Sequence, residues 1–310
     1  MTEGDALYRA ILAAPDDDAP RLVWADWLDE NGNPDRAEFV RLQCESANLD
    51  PADPRKLMFG ERCRELSSRN HLAWLRGLGM YGSDARFWRG LPDWFDVLTD
   101  QCIERISDLR RRVPAQCIKL RLAGFREELR HWPGLDAIRC LWLCERMPDP
   151  YYPHSSIRGW VWLIQSPRLS GLRALRAVMD FSSAGVISAI SGTAWPHLRE
   201  LTLTVHDCDP DRPPAAWNDL PEASWFPALR SLDIRDCGLT DDTILRLLTR
   251  RGPLELTYLD LRGNNLTQRG VRRLYSSGAL PKLRCLRTSP APIVIKSPGD
   301  PVTSRNPLRQ

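Results

Sequence analysis

The sequence predicts an α/β solenoid, built from strand–turn–helix units, behind a small all-α domain. Three observations carry that prediction. Apolar residues recur at helical spacing up to about residue 80, and the spacing then changes. From about residue 88 a leucine pattern repeats. Between its copies, helix-starting residues and stop glycines fall at matching offsets.

Residues 1–80 read as the helical domain. Leu7, Ile11 and Leu12 make one apolar stripe, Leu22, Trp24, Trp27 and Leu28 a second, and Phe39, Val40 and Leu42 a third. Gly32 is placed to take positive φ as a helix C-cap, Asn33 to cap the next helix and Pro34 to fill its first turn. Asp35 then lies where the helix dipole favours an anion. After DPADP (50–54), a helix over 55–66 carries Leu57, Met58, Cys63 and Leu66, and a separate short segment, 71–78, carries Trp74 and Leu75.

Residues 88–288 form the repeat region. LRSLDIRDCGL (229–239) and LTYLDLRGNNL (256–266) both satisfy L-x-x-L-x-L-x-x-[NC]-x-L at every fixed position. Weaker copies are CIKLRLAGF (117–125), IRCLWLCER (138–146), LRALRAVMD (172–180), LRELTLTVH (198–206) and LRCLRT (283–288). Their middle leucines are Leu120, Leu141, Leu175, Leu201, Leu232, Leu259 and Leu286, and the last two steps are both 27 residues. Thr240 with Asp241 and Asp242 starts one intervening helix, which stops at Gly252; Thr267 starts the next, which stops at Gly278. Thr99, Ser155 and Ser182 mark earlier starts. One strand–helix unit cannot bury its own apolar face, so the units are expected to stack. Phe125, Arg146, Asp180 and His206 replace Asn or Cys at the turn position, which weakens those copies, and 205–228 is irregular. The Pro/Ser-rich tail, 289–310, contains IVIK (293–296), a candidate last capping strand.

Composition excludes several classes. The 310 residues include 43 Lys and Arg against 40 Asp and Glu, a net charge of +3, and no block of five like charges. That near-balance argues against nucleic acid as the partner. Apolar runs are short and interrupted, so no membrane span is expected. MTEGDALYRA has no basic segment leading into an apolar stretch, which makes the expected location cytoplasmic. Nine cysteines, an odd and scattered set, read as reduced thiols. Cys140 and Cys144 are spaced CxxxC with no second ligand pair following, so no zinc site is expected.

The repeat region resembles the leucine-rich-repeat family over roughly residues 90–288, and its 27-residue unit resembles the ribonuclease-inhibitor-like subtype. This implies a leucine-rich-repeat horseshoe. WADWLDENGNPDRAEFVRLQ (24–43), ERCRELSSRNHLAWLRGL (61–78) and FWRGLPDWFDV (87–97) are similar to the repeat-companion domain, with the last segment opening the solenoid. That domain is a short helical module preceding leucine-rich repeats in many planctomycete bacterial proteins. The resemblance implies an architecture and no activity.

Two stretches tempt a metal assignment. Asp29, Asn31, Asn33 and Asp35 alternate like the start of a calcium loop, but Pro34 stands at position 6 and Val40 at position 12, where Gly and a bidentate Glu are needed. Asp207, Asp209 and Asp211 meet Arg212 at position 6 and have no acidic residue at position 12. Both read as turns. Asp26, Arg36 and Glu38 read as a carboxylate–guanidinium network joining two helices. His71, His131, His154, His197 and His206 have no nucleophile or carboxylate at catalytic spacing, and phosphate-loop, dinucleotide, serine-hydrolase and zincin motifs do not occur. The expectation is a non-enzymatic protein without cofactor or metal.

The expected working surface is the concave strand face, where residues alternating with the leucines point away from the core. Its central column is Arg121, Trp142, Arg176, Thr202, Asp233, Asp260 and Arg287. The preceding column is Lys119, Cys140, Ala174, Glu200, Ser231, Tyr258 and Cys285, and the following one includes Ala123, Cys144, Val178, Thr204, Arg235 and Arg262. Arg121, Trp142, Arg176, Asp233, Arg235, Tyr258, Asp260, Arg262 and Arg287 are the candidate partner-binding residues, being of types enriched at binding hot spots or forming opposed charge rows. A protein partner and a monomeric chain are expected. The competing readings are nucleic acid held by the arginines, and regulation of a nucleotide-cycling or modifying enzyme.

Overall fold

The computed structural model describes residues 2–50, 53–78, 85–121, 127–144, 155–179, 184–205, 215–289 and 293–294. Ala123, Phe125, Arg146, Asp180, Ser182, His206, Asp207, Asp209 and Asp211 lie outside the described residues, as does most of the 289–310 tail. The chain is mixed α/β, with an N-terminal helical region and mostly parallel strands. It divides into two compact units, Met1–Val97 with Gln101–Lys119, and Leu98–Asp100 with Leu120–Gln310.

The first unit contains α1 (Glu3–Ala13), α2 (Ala19–Glu30), α3 (Pro34–Asn48) and α4 (Arg55–Gly77), then β1 (Ala85–Trp88), β2 (Leu91–Leu98) and α5 (Cys102–Leu109). Thr2 and Asp5 close a capping box at the start of α1. Gly32 takes φ +78° between α2 and α3, and Pro34 opens α3. Asn33 stands at the N-cap, yet its side chain donates to Asn31 O at 3.1 Å rather than capping the helix. Ile11, Trp24, Ala25, Leu28, Ala37, Val40, Cys44 and Leu91 form the core. Leu91 brings the β1–β2 hairpin into that helical core, so the unit's packing continues past residue 80.

Three sequence expectations are corrected. Leu22 is 40% exposed while its neighbour Arg21 is fully buried, because Arg21 is needed inside to bind backbone carbonyls. Leu57 and Met58 face solvent; within α4 only Leu66 and Leu75 are buried, nine residues apart and so on opposite sides of the helix. The break expected between 66 and 71 does not occur. There Ser67 and Ser68 donate back to Arg64 O and Glu65 O, and Arg62, Glu65 and Arg69 pair along the helix surface.

The second unit contains α6 (Glu128–His131), β4 (Cys140–Cys144), α7 (Ser155–Ile164), β5 (Ala174–Met179), α8 (Ala184–Ser191), β6 (Glu200–Val205), β7 (Ser231–Asp233), α9 (Asp241–Thr249), β8 (Tyr258–Asp260), α10 (Gln268–Ser276), β9 (Cys285–Arg287) and β10 (Ile293–Val294). Strands β4 to β9 pair in sequence order, all parallel. β10 closes the run antiparallel to β9, as the IVIK segment suggested. Leu141, Leu175, Leu201, Leu232, Leu259 and Leu286 sit side by side in this register, all buried.

Turn chemistry differs from repeat to repeat. Thr267 caps α10 by accepting from Gly270 N at 3.0 Å, and Asp241 of the preceding repeat accepts from Thr267 N and Oγ1. Gly270 is required there, since a Cβ would fall on the Asp241 carboxylate. Residues 215–228 form 3₁₀ turns instead of an α-helix. Buried Trp217, Trp225 and Phe226 occupy the space, with the Trp225 indole donating to Thr193 O at 3.0 Å.

One side chain fastens the two best copies together. Asn264 Oδ1 accepts from Cys237 N and Leu239 N at 3.2 and 3.0 Å, while its Nδ2 donates to Ile234 O and Leu261 O at 2.7 and 3.0 Å. Cys237, at the equivalent position one repeat earlier, donates its thiol to Leu203 O at 3.3 Å. Asn264→Ala is expected to lower stability by about 3 kcal/mol in denaturant melts, since it leaves several partly buried backbone groups without partners. A loss no larger than that of a surface substitution would show that the side chain does not hold the turns.

Candidate functional site

The strand face of the second unit gathers most of the expected residues. Trp142, Arg176, Thr202, Asp233, Asp260 and Arg287 are consecutive register partners across β4 to β9. The Arg176 guanidinium lies 4.3 Å from the Trp142 ring centroid, a cation–π stack with Arg176 on the exposed side. Tyr258 is half-buried in the neighbouring column. Arg121 ends β3 (Cys117–Arg121) and is half-buried.

The acidic members are placed as the register requires but are not open to a partner. Asp260 is fully buried, and Asp233 is nearly so. Each is covered by the arginine two residues later, in the turn just past the end of its own strand. Arg262 donates from Nε and Nη2 to the Asp260 carboxylate at 2.9 and 2.7 Å, and Arg235 closes the same side-on clamp on Asp233, with Nε at 3.0 Å. The Tyr258 hydroxyl donates to Asp260 at 3.2 Å, and Arg287 donates to the Tyr258 hydroxyl at 3.4 Å. The expected opposed rows are therefore local clamps between residues two positions apart. Burial raises the Asp260 pKa, but hydrogen bonds from the Arg262 side chain and backbone, with the Arg262 and Arg235 charges, outweigh it and the net shift is downward. Arg235 is pushed up, first by its hydrogen bonds to Asp233.

The residues that resembled calcium ligands are occupied with other work. Asp29 accepts from Arg41 at 3.2 Å, Asn31 donates to Trp27 O at 2.8 Å, and Asp35 accepts from Asn70 at 3.0 Å. Cys140 and Cys144 carry reduced thiols at the two ends of β4. Among the described residues no group of three His, Cys, Asp or Glu side chains is placed to share a metal ion.

The first unit holds a buried charged cluster that sequence reasoning missed. Arg89 and Gly90, at φ +50° and +84°, are the two turn residues of the β1–β2 hairpin, since Trp88 pairs with Leu91. A Cβ on Gly90 would strike Val40, so the tip must press against α3. Gly90 N donates to Gln43 Oε1 at 2.8 Å, and Arg21 donates to Arg89 O at 3.0 Å. Arg89 itself reaches Asp18 at 2.6 Å and the carbonyls of Pro15 and Asp16. The Arg-Gly dipeptide was the available signal, but Asn-Gly or Asp-Gly is the usual marker of such a turn.

Two members of this unit carry charge without full compensation. Asp93 is buried; its Oδ1 accepts from Gln116 N, and its Oδ2 has no hydrogen-bond partner among the described residues. Burial pushes its carboxyl up to about 6, partly opposed by backbone hydrogen bonds and by the Arg21 and Arg89 charges. Arg36 is not part of the expected ionic network. Its guanidinium lies 4.4 Å from the Trp74 ring centroid and 4.7 Å from Phe87, with Phe39 and Trp24 at 5.7 and 5.8 Å. Burial lowers its pKa to about 9, which leaves it charged at neutral pH. The ionic pairs that do link the helices, Asp26–Arg41 at 2.8 Å and Glu38–Arg62 at 2.7 Å, lie at the surface, where such pairs contribute little.

No family model matches the chain, and no curated protein matches it. Among solved structures, a crystal structure of a Bacteroides fragilis protein is similar at 14% identity, over 74% of this chain and 83% of that one. Its TM-score is 0.31, a level at which the likeness carries no argument.

Aromatic faces hold a planar guanidinium better than an ammonium, so Arg36→Lys is expected to destabilise the protein more than Arg36→Met, read from paired thermal melts. The reverse order would mean the cage is only a hydrophobic pocket. Asp93 carries a raised pKa in the folded protein, so the folded state keeps its proton at pH values where the unfolded chain has lost it. Stability from this group is fully present below pH 3.8 and is lost as pH rises through about 6. Relative to Asp93→Asn, the wild type should lose up to about 3 kcal/mol between pH 4 and 7. A difference independent of pH would exclude a buried titrating carboxyl.

Proposed function

We propose that the chain is a leucine-rich-repeat protein that binds another protein on the concave face of its strands, and that it has no catalytic activity. The Trp142–Arg176 stack carries the reading: a half-buried indole covered by an exposed guanidinium, held by parallel strands in one register, has the residue types and rigidity of a binding hot spot. Half-buried Tyr258 and the clamped arginines extend the same face. The in-register buried leucines and the Asn264 turn support the leucine-rich-repeat assignment. The repeat-companion resemblance of residues 24–43 supports a helical module preceding repeats. Among the described residues no helix is long and apolar enough to cross a membrane.

A photo-crosslinking residue at Thr202, within the strand face, tests this in the native host. It should trap a discrete polypeptide, whereas the same residue at Arg246, on the exposed side of α9, should not. Arg176→Ala, which alters an exposed side chain, should reduce the trapped product roughly tenfold with unchanged circular dichroism. Equal trapping from both positions, or none from Thr202, would sink the strand-face assignment.

A further inference from the structure

We infer that the strand face receives an acidic polypeptide segment, whose Asp or Glu carboxylates seat on the guanidiniums of Arg235, Arg262 and Arg287. This rests on the protein-binding reading above and names the chemistry of the partner.

The argument begins with which charges reach solvent. Along β5 to β9, Arg176 and Arg287 are exposed and the side chains of Arg235 and Arg262 are 35% and 37% exposed. Asp233 and Asp260 are covered, so the exposed carboxylates here, among the described residues, are Glu200 and, in the turn directly after Arg235, Asp236. Covering Asp233 and Asp260 leaves guanidinium N–H edges as the outermost groups of these ion pairs, although the total charge of the face is nearly balanced.

The clamps also fix where the positive charge points. Arg235 and Arg262 each use Nε and Nη2 to hold their aspartate, and neither Nη1 has a partner among the described residues. Pairing continues beyond the strand ends, with Ile234 N donating to Asp260 O and Asp236 N to Arg262 O, so Arg235 stays beside Arg262. The two arginines therefore project from backbones about one strand spacing, roughly 4.8 Å, apart. Arg287 lies on the next strand, 3.9 Å from the Asp260 carboxylate. A guanidinium already immobilised loses little further entropy on binding, which is the usual cost of an arginine contact.

Carboxylate fits better than a phosphate backbone. Each clamped arginine is largely neutralised by its own aspartate and offers one remaining N–H edge, enough for a singly charged group. A nucleic acid needs many uncompensated cations to displace its counterions, and this face pairs its cations with buried acids. Trp142 beneath Arg176 then supplies an apolar contact for a peptide side chain.

The full-length protein should be titrated with a labelled short peptide rich in Glu and Asp, its Gln/Asn counterpart, and a single-stranded oligonucleotide of equal charge, following anisotropy. The acidic peptide should bind roughly tenfold or more tightly than the amide peptide and the oligonucleotide, and added salt should weaken it. Arg287→Gln, at a 44% exposed side chain, should weaken the acidic peptide with unchanged circular dichroism. The double variant Arg235→Lys/Arg262→Lys keeps the charge but removes the fork, and should weaken it further. Equal binding of the amide peptide, or an equally tight oligonucleotide, would overturn the inference. If the acidic peptide does not bind while Thr202 still traps a protein, the inference fails and the protein-binding reading stands; if the trap is also empty, both fail.

Discussion

A parallel repeat in register places like on like, and for charged residues that is a problem to be solved. Asp233 pairs with Asp260, and Arg235 sits beside Arg262. Like charges on directly opposed strand positions repel. The chain resolves this inside each repeat: the arginine two residues on folds back over the aspartate in a side-on, hydrogen-bonded clamp. Each rung becomes a neutral unit before it meets its neighbour, and the leucine column beneath can stack without electrostatic opposition. The same solution hides the acids and leaves guanidinium edges outward, so the device that permits the stacking also sets the character of the surface.

The helical unit depends on a comparable constraint of a different kind. A hairpin tip pressed into helices buries peptide groups that no strand or helix ladder can satisfy. Arg21 and Gln43 supply the missing partners for Arg89 O and Gly90 N, and Arg89 returns the service to Pro15, Asp16 and Asp18. Buried guanidiniums serve here because each offers several donors in a plane. Arg36 is the exception. Four aromatic rings hold it with no carboxylate among its described neighbours, and the aromatic faces supply the negative potential.

What the sequence determined by itself was the periodic part. The leucines at 27-residue steps, the alternation along each strand, the helix starts at Thr240 and Thr267, and the positive-φ glycines Gly32, Gly252 and Gly278 are local properties. They were legible because strand and helix periodicity and glycine's freedom belong to the chain alone. The columns of the strand face followed from them, and register alone places Trp142 beside Arg176. Tertiary structure decided which polar groups are buried and with whom. Arg21 rather than Leu22 goes inside because a hairpin distant in sequence presents a carbonyl there. The Asp260–Arg262 pair is local, but Asp260 is fully buried only with the adjoining strands and Arg287 around it, and Asp93 retains an oxygen without a partner among the described residues for reasons no local pattern records. Burial of charge depends on contacts between segments far apart in sequence, whereas periodicity depends on residues a few positions apart.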